Sequence, residues 1–327
     1  MKSFDISTIL GVDPEIAGFI VSCGSSILAV DGAVETVRAP LPSGWPSNSI
    51  EVELAGDNDY PLNPQTVNLL MPWKEKLAGT GREIKYRVVV LEQLPKDIPG
   101  LRITIVPTTY EESTGFHWSL NEASVRKDDI IRALKKNWAC HLLQPGKYNL
   151  PGVAVVHVIV TTGDNQIILC QRSENANYHP LSWSTSFEEQ INEQDQMFGN
   201  AMLSAAAIRG FKEELISDNA TKSEGADLLG VFLEYGILNL SFCMHIETSL
   251  LFNDIKQNWI AKARDNWEAI DVAGEPFTLD NLVRLLKSHG YKHTSGEIGR
   301  FHPSSKYRLL LLALRRFGWD AISGSLK

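Results

Sequence analysis

Cysteine is scarce in this 327-residue chain: Cys23, Cys140, Cys170 and Cys243 are scattered, with no CxxC pair and no dense framework. Such spacing excludes a disulfide scaffold, and three of the four sit among apolar neighbours, so a reduced, cytoplasmic protein is expected. Long apolar runs are missing as well. The opening "MKSFDISTIL" meets acid and Pro14 early, and "GVAVVHVIV" and "LLLLAL" are too short to span a bilayer, so neither export nor a membrane partner is expected. The net charge is −8, with acids outnumbering bases in each half, which argues against nucleic acid as a partner. No GxSxG elbow, P-loop lysine motif or GxGxxG turn is present, which sets aside serine hydrolases, P-loop NTPases and Rossmann dehydrogenases. His157, His179, His245, His289, His293 and His302 show neither HxH nor HExxH spacing, so a zinc site is not expected.

A hydrophobic content of 43% supports a substantial core, and the length suggests two domains. Runs such as "SIEVELAG", "EIKYRVVVLEQL" and "LRITIVP" predict a strand-rich N-terminal domain over residues 1–145, closed by a helix over 123–140. The basic residues of that helix, Arg126 to Lys136, alternate with Asp128 and Asp129 and read as a solvated face. "QPGKYNLPG" carries two Pro-Gly steps and marks the boundary with a second domain, 146–327. There "VAVVHVIVT" and "QIILCQRS" flank the turn "TGDN", and "LLGVFLEYG" and "LNLSFCMHIE" follow at hairpin spacing. The first of these strands is apolar almost throughout, as a central strand buried on both faces would be. Helices are expected over about 197–217, in "FNDIKQNWIAKA", in "TLDNLVRLLKSHG" capped by Thr278 and stopped at Gly290, and after Ser304 or Ser305. The fold class is therefore α+β.

The stretch "AAAIRGFKEELIS" carries the chemistry. At about 100° per helical residue, Ser204, Ile208, Phe211 and Leu215 form a packing stripe, while Arg209, Glu213 and Glu214 lie on the other side. Two carboxylates on one helix suit a hard divalent cation, Mg²⁺ or Mn²⁺, and Arg209 is one turn from Glu213 and able to orient it. Taken alone, the pattern is also that of a solvated helix face.

In context, residues 152–216 resemble the Nudix hydrolase domain: "GVAVVHVIV", then "IILCQR" ending at Arg172, then "HPLSW" ending at Trp183, then "RGFKEEL", in the family's order. The resemblance covers about the second half of the chain. It implies an α/β/α sandwich around a mixed sheet, a Mg²⁺- or Mn²⁺-dependent hydrolase of a diphosphate linkage, and a small nucleotide-like substrate. Arg209, Glu213 and Glu214 match the family motif. The departures are a "STSFEEQ" loop in place of a Gly-Gly turn, Ala201 eight residues before the motif arginine, and Gly210 where a metal-ligating glutamate is common. Glu188 and Glu189 are the candidates to replace that ligand, with Glu189 also a candidate catalytic group; Glu268 is a further acid late in the domain. Arg172, near the diphosphate region of the implied fold, and Trp183, able to stack a base, are the candidate substrate contacts, although an ion pair and core packing would equally explain them. An alternative is a nucleotide sensor with weakened chemistry. The N-terminal domain resembles no family; it would cap the site, form a homodimer or bind a protein partner.

Overall fold

The computed structural model describes residues 19–22, 25–30, 33–34, 45, 49–77, 84–93, 100–126, 151–176, 178–216, 225–234, 239–262, 266–293 and 296–326. It is a mixed α+β fold. The elements are β1 (Phe19–Ser22), β2 (Ser25–Val30), β3 (Ala33–Val34), β4 (Ile50–Leu54), α1 (Pro64–Leu77), β5 (Ile84–Gln93), β6 (Leu101–Thr109) and α2 (Tyr110–Arg126). After these come β7 (Ala154–Thr161), β8 (Gln166–Arg172), β9 (Trp183–Thr185), β10 (Phe187–Gln190), α3 (Glu193–Gln196) and α4 (Met202–Gly210), which runs into a π-helical turn, Phe211–Leu215. The chain ends through β11 (Ala226–Glu234), β12 (Asn239–Glu247), α5 (Phe252–Lys262), β13 (Ala269–Pro276), α6 (Leu279–Lys287), β14 (Tyr291–Lys292), β15 (Ile298–Gly299) and α7 (Ser305–Leu326). Among the described residues, no helix is long and apolar enough to cross a membrane.

The main sheet runs β13-β8-β7-β12-β11-β1-β2-β3, with β9 paired to β8 and β10 to β7. Its centre is mixed: β12 lies parallel to β7 and antiparallel to β11. All eight residues of β7 are buried, as its unbroken apolar sequence predicts for a central strand. Successive residues face opposite layers. Ala154, Val156, Val158 and Val160 pack with Met202, Leu203, Ala206 and Phe211, while Ile159 packs with Leu285 of α6 and Leu309 of α7. Helices thus cover both faces. The turn between β7 and β8 places Asn165 at φ 59, and Thr278 caps α6 by accepting from the Asn281 amide at 3.3 Å, both as the sequence suggests. That helix stops at Lys287, earlier than Gly290.

The sheet crosses the expected boundary at 145. β1 pairs antiparallel with β11, Val21 opposite Val231, so N-terminal strands extend the C-terminal sheet. A separate three-stranded sheet, β4-β6-β5, carries α1 and α2. Its core residues Tyr86, Leu91, Ile103 and Phe116 belong to the same apolar cluster as Val156 and Phe242. Neither α1 nor the start of α2 is expected from the strand-like reading of this region. Pro64 opens α1 where a missing amide costs nothing, and the Thr109 hydroxyl accepts from the Glu112 amide at 3.2 Å to start α2. The predicted helix over 123–140 overlaps α2 only at 123–126; the rest lies outside the described residues.

Candidate functional site

The "RGFKEEL" segment does not continue as a regular α-helix. The Ile216 amide bonds the Phe211 carbonyl, five residues back, at 3.2 Å, closing a wide turn that carries Glu213 and Glu214. The predicted pairing survives: Arg209 Nη1 stands 3.2 Å from Glu213 Oε2. Arg209 is held mainly by Asp195, through Nε at 3.1 Å and Nη2 at 3.0 Å, and by the Gln190 carbonyl at 3.0 Å. Burial lowers its pKa, but Asp195, Glu189 and Glu213 outweigh that and raise it, so it is a fixed cation. Asp195 also bonds the Asn192 amide at 3.0 Å, reciprocating the cap that Asn192 gives α3. Asp195 thus anchors the motif arginine, a role the sequence reading does not give it.

Gly210 lies against β10. A Cβ at 210 would stand 2.6 Å from a ring carbon of Phe187 and 3.2 Å from the Cβ of Glu189. A side chain there would have to displace the Phe187 ring, with Glu189 next to it. The Glu189 carboxylate is 3.2 Å from Arg209 Nη1, the same nitrogen that Glu213 approaches. Burial raises the Glu189 carboxyl to about 7, against the pull of Arg209 and Lys85, with Glu213 raising it further. Glu214 makes no hydrogen bond or salt bridge among the described residues; burial, then Glu268 and Glu189, push its carboxyl well above the usual range.

Glu188 faces the other way. Its carboxylate meets Arg172 Nη1 at 2.8 Å, Arg308 Nη2 at 2.8 Å and the Ser184 hydroxyl at 3.1 Å, with His157 and His302 Nδ1 each at 3.5 Å. Burial would raise its carboxyl, but His302, Arg172 and His157 hold it well below the usual range, with the arginines carrying the positive charge because burial keeps His302 neutral. Arg308 is fully buried and also bonds the Thr185 carbonyl at 2.8 Å and the Ser304 hydroxyl at 2.9 Å. Glu188 is therefore a structural anion, and Arg172 is committed to it and to the Tyr178 carbonyl at 3.1 Å.

A cavity of about 330 Å³ opens beside these residues, lined by Arg172, Glu188, Glu189 and Glu268. That volume suits a small molecule. Its wall also holds groups that sequence reasoning does not assemble: Lys85 and His117 from the N-terminal half, His179, His302 and Trp267. Trp267 directly precedes Glu268, the single local signal that could have flagged it. Trp183 lies elsewhere, 2% exposed, with ring centroids 4.6 Å from Tyr291 and 5.3 Å from His293, and lines a different surface depression. It packs rather than facing the Arg172 cavity.

The acids near Arg209 offer the all-oxygen donors that a hard cation takes. Among the described residues, no three His, Cys, Asp or Glu side chains converge as a metal site. Glu189, Glu213 and Glu214 carry oxygen donors of the right kind, but they are not brought together as a coordination shell. Glu188, already neutralised, does not belong to that set.

No protein-family model matches the sequence, and no curated protein does. Among solved structures, the chain is similar to DR0079 from Deinococcus radiodurans, at 16% identity over 48% of this chain and 80% of that one, with a TM-score of 0.30. It is similar to the MutT protein from Methanosarcina mazei, at 14% identity over 50% and 93%, with a TM-score of 0.33. A third, the Nudix hydrolase candidate Tm1382, is 13% identical over 50% and 72%, with a TM-score of 0.29.

Proposed function

We propose that the chain is a divalent-cation-dependent hydrolase that cleaves a diphosphate linkage in a nucleoside diphosphate derivative. The observation that carries this reading is the place of Glu189: its carboxylate shares Arg209 Nη1 with Glu213, which supports β10 as the source of the carboxylate that Gly210 lacks. Together with the order of motifs from β7 to "RGFKEEL", this supports a Nudix-like site rebuilt from β10.

Glu213 and Glu214 would hold Mg²⁺ or Mn²⁺ with Glu189 beside them, and the bound cation would offset charge on the phosphate oxygens. Arg209, fixed by Asp195, keeps Glu213 and Glu189 aimed at one region. Glu189, at about 7, is ionised in an appreciable fraction at neutral pH and still basic enough to take a proton from attacking water. Lys85 supplies positive charge to the same cavity.

Purified protein incubated with Mg²⁺ and a panel of nucleoside diphosphate derivatives should release phosphate-containing products. Glu213→Gln and Glu214→Gln should each lower turnover about a hundredfold or more. Turnover unaffected by both substitutions would refute the assignment. A second reading is a nucleotide sensor with weakened chemistry, in line with Gly210 where a metal-ligating glutamate is common; saturable binding without turnover would select it.

A further inference from the structure

Four residues of the cavity wall stand outside the group of acids. Lys85, on β5, is only 7% exposed and lines the wall. The strand carrying it is pinned against the C-terminal half: Lys85 is bridged to Asn192, and the Tyr86 hydroxyl donates to Gln196 Oε1 at 2.7 Å. His117, on α2, reaches the same wall and is held between the Tyr178 hydroxyl and Asn239 Oδ1. Ser173 Oγ, in a residue 4% exposed, lines the cavity with no hydrogen-bond partner among the described residues. A buried hydroxyl left in that state costs about 1–3 kcal/mol, which a polar ligand would recover. At the mouth, Trp267 is 62% exposed, a flat apolar face beside an acidic cavity.

We propose that Lys85 is a specificity-determining residue that binds the ligand's phosphates, so that one nucleoside diphosphate is clasped between the N-terminal β4-β6-β5 unit and the C-terminal sheet, its planar base against Trp267. This rests on the nucleotide reading above. Lys85 shares the cavity wall with Glu189 and Glu268, while Glu213 meets Glu189 at Arg209 behind it, so a phosphate at Lys85 would stand next to a cation held on the Glu189 side. Lys85 also acts on Glu189 through space, which sets it beside the reacting groups. The N-terminal half then selects the substrate and does not merely accompany a finished catalytic domain.

The test is calorimetric titration, with Mg²⁺, of the full chain with α,β-methylene-ADP, which resists hydrolysis between its phosphates, and with adenosine. Lys85→Met should weaken α,β-methylene-ADP binding about tenfold or more and change adenosine binding by less than about twofold, and Lys85→Arg should restore most of the loss. Trp267→Ala should weaken both ligands alike. Equal effects of Lys85→Met on both ligands, or none on either, would overturn the proposal while leaving the nucleotide reading in place. Failure of the wild-type chain to bind either ligand would instead remove both. The wild-type protein gives an independent check should Lys85→Met not fold: the ¹⁵Nζ resonance of Lys85 should move on adding α,β-methylene-ADP and not on adding adenosine, and an unmoved resonance refutes the contact.

Discussion

Glu188 and Glu189 are neighbours on one strand and live in opposite electrostatic worlds. On the Glu188 side, two arginines at 2.8 Å and two histidines surround one carboxylate and keep it ionised. On the Glu189 side, one arginine nitrogen serves two glutamates, a third acid stands nearby, and protons are retained instead. In the first arrangement the carboxylate is fully answered from within the chain, by two arginines and the Ser184 hydroxyl. The second crowds acids around one arginine nitrogen and raises the carboxyls of Glu189 and Glu214, the kind of perturbed cluster that accompanies binding sites.

The severest way to break the contrast is to force a side chain onto the helix where the Glu189 side is built. Gly210→Glu must displace the Phe187 ring and Glu189, and should cost about 4 kcal/mol or more, seen as loss of a cooperative urea transition. Soluble protein with a wild-type midpoint would show that β10 is free to move aside.

Opening the Glu188 side comes next. Arg308→Met leaves Glu188 with Arg172 as its one arginine and removes the donor to the Thr185 carbonyl, for a loss of about 3–5 kcal/mol by denaturant unfolding at pH 7. An effect under about 1 kcal/mol would mean that Arg172 alone suffices.

Removing charge from the Glu189 side should act in the other direction. The Glu189 carboxyl is raised from 4.5 to about 7 in the folded state, so the native chain holds a proton there that the unfolded chain releases. Its stabilising contribution is fully present below about pH 4.5 and is lost as pH rises through about 7, a change on the order of 3 kcal/mol. In EDTA, Glu189→Gln should therefore become more stable relative to wild type between pH 4.5 and pH 8 while losing turnover in Mg²⁺. Parallel pH–stability curves for the two proteins would show that Glu189 is not under this strain.

The smallest effect sharpens the geography. Trp183→Phe should lower stability by about 1–2 kcal/mol through lost packing against Tyr291 and His293, and leave nucleotide affinity within about twofold. A large drop in affinity would put Trp183 back at the ligand.

What the sequence made legible follows from range. The β7–β8 hairpin, the cap at Thr278 and the Arg209–Glu213 pair are set within a few residues, and each is found where its spacing predicts it. Choosing between Glu188 and Glu189 depends on strand register, since a shift of one residue exchanges the faces, and the register of β10 is fixed by its pairing with β7 some thirty residues earlier. The loop's ability to bring an acid to the helix was foreseeable; the tight approach allowed by Gly210 was not. Lys85 and His117 reach the cavity through contacts separated by more than a hundred residues from Asn192 and Asn239, which leave no local pattern. In α1 and the start of α2, the Pro64 start and the Thr109–Glu112 cap are local helix signals set among strand-like runs, and the tertiary packing decides between the two.

The pairing of β1 with β11 has a practical corollary. A shortened chain beginning near residue 146, at the Pro-Gly boundary, would strip β11 of its outer neighbour and uncover a row of backbone donors and acceptors. It would also remove Tyr86, Ile103 and Phe116 from the shared apolar cluster. Such a fragment invites self-association, so weak activity or inclusion bodies from it would report on a missing border, not on the chemistry.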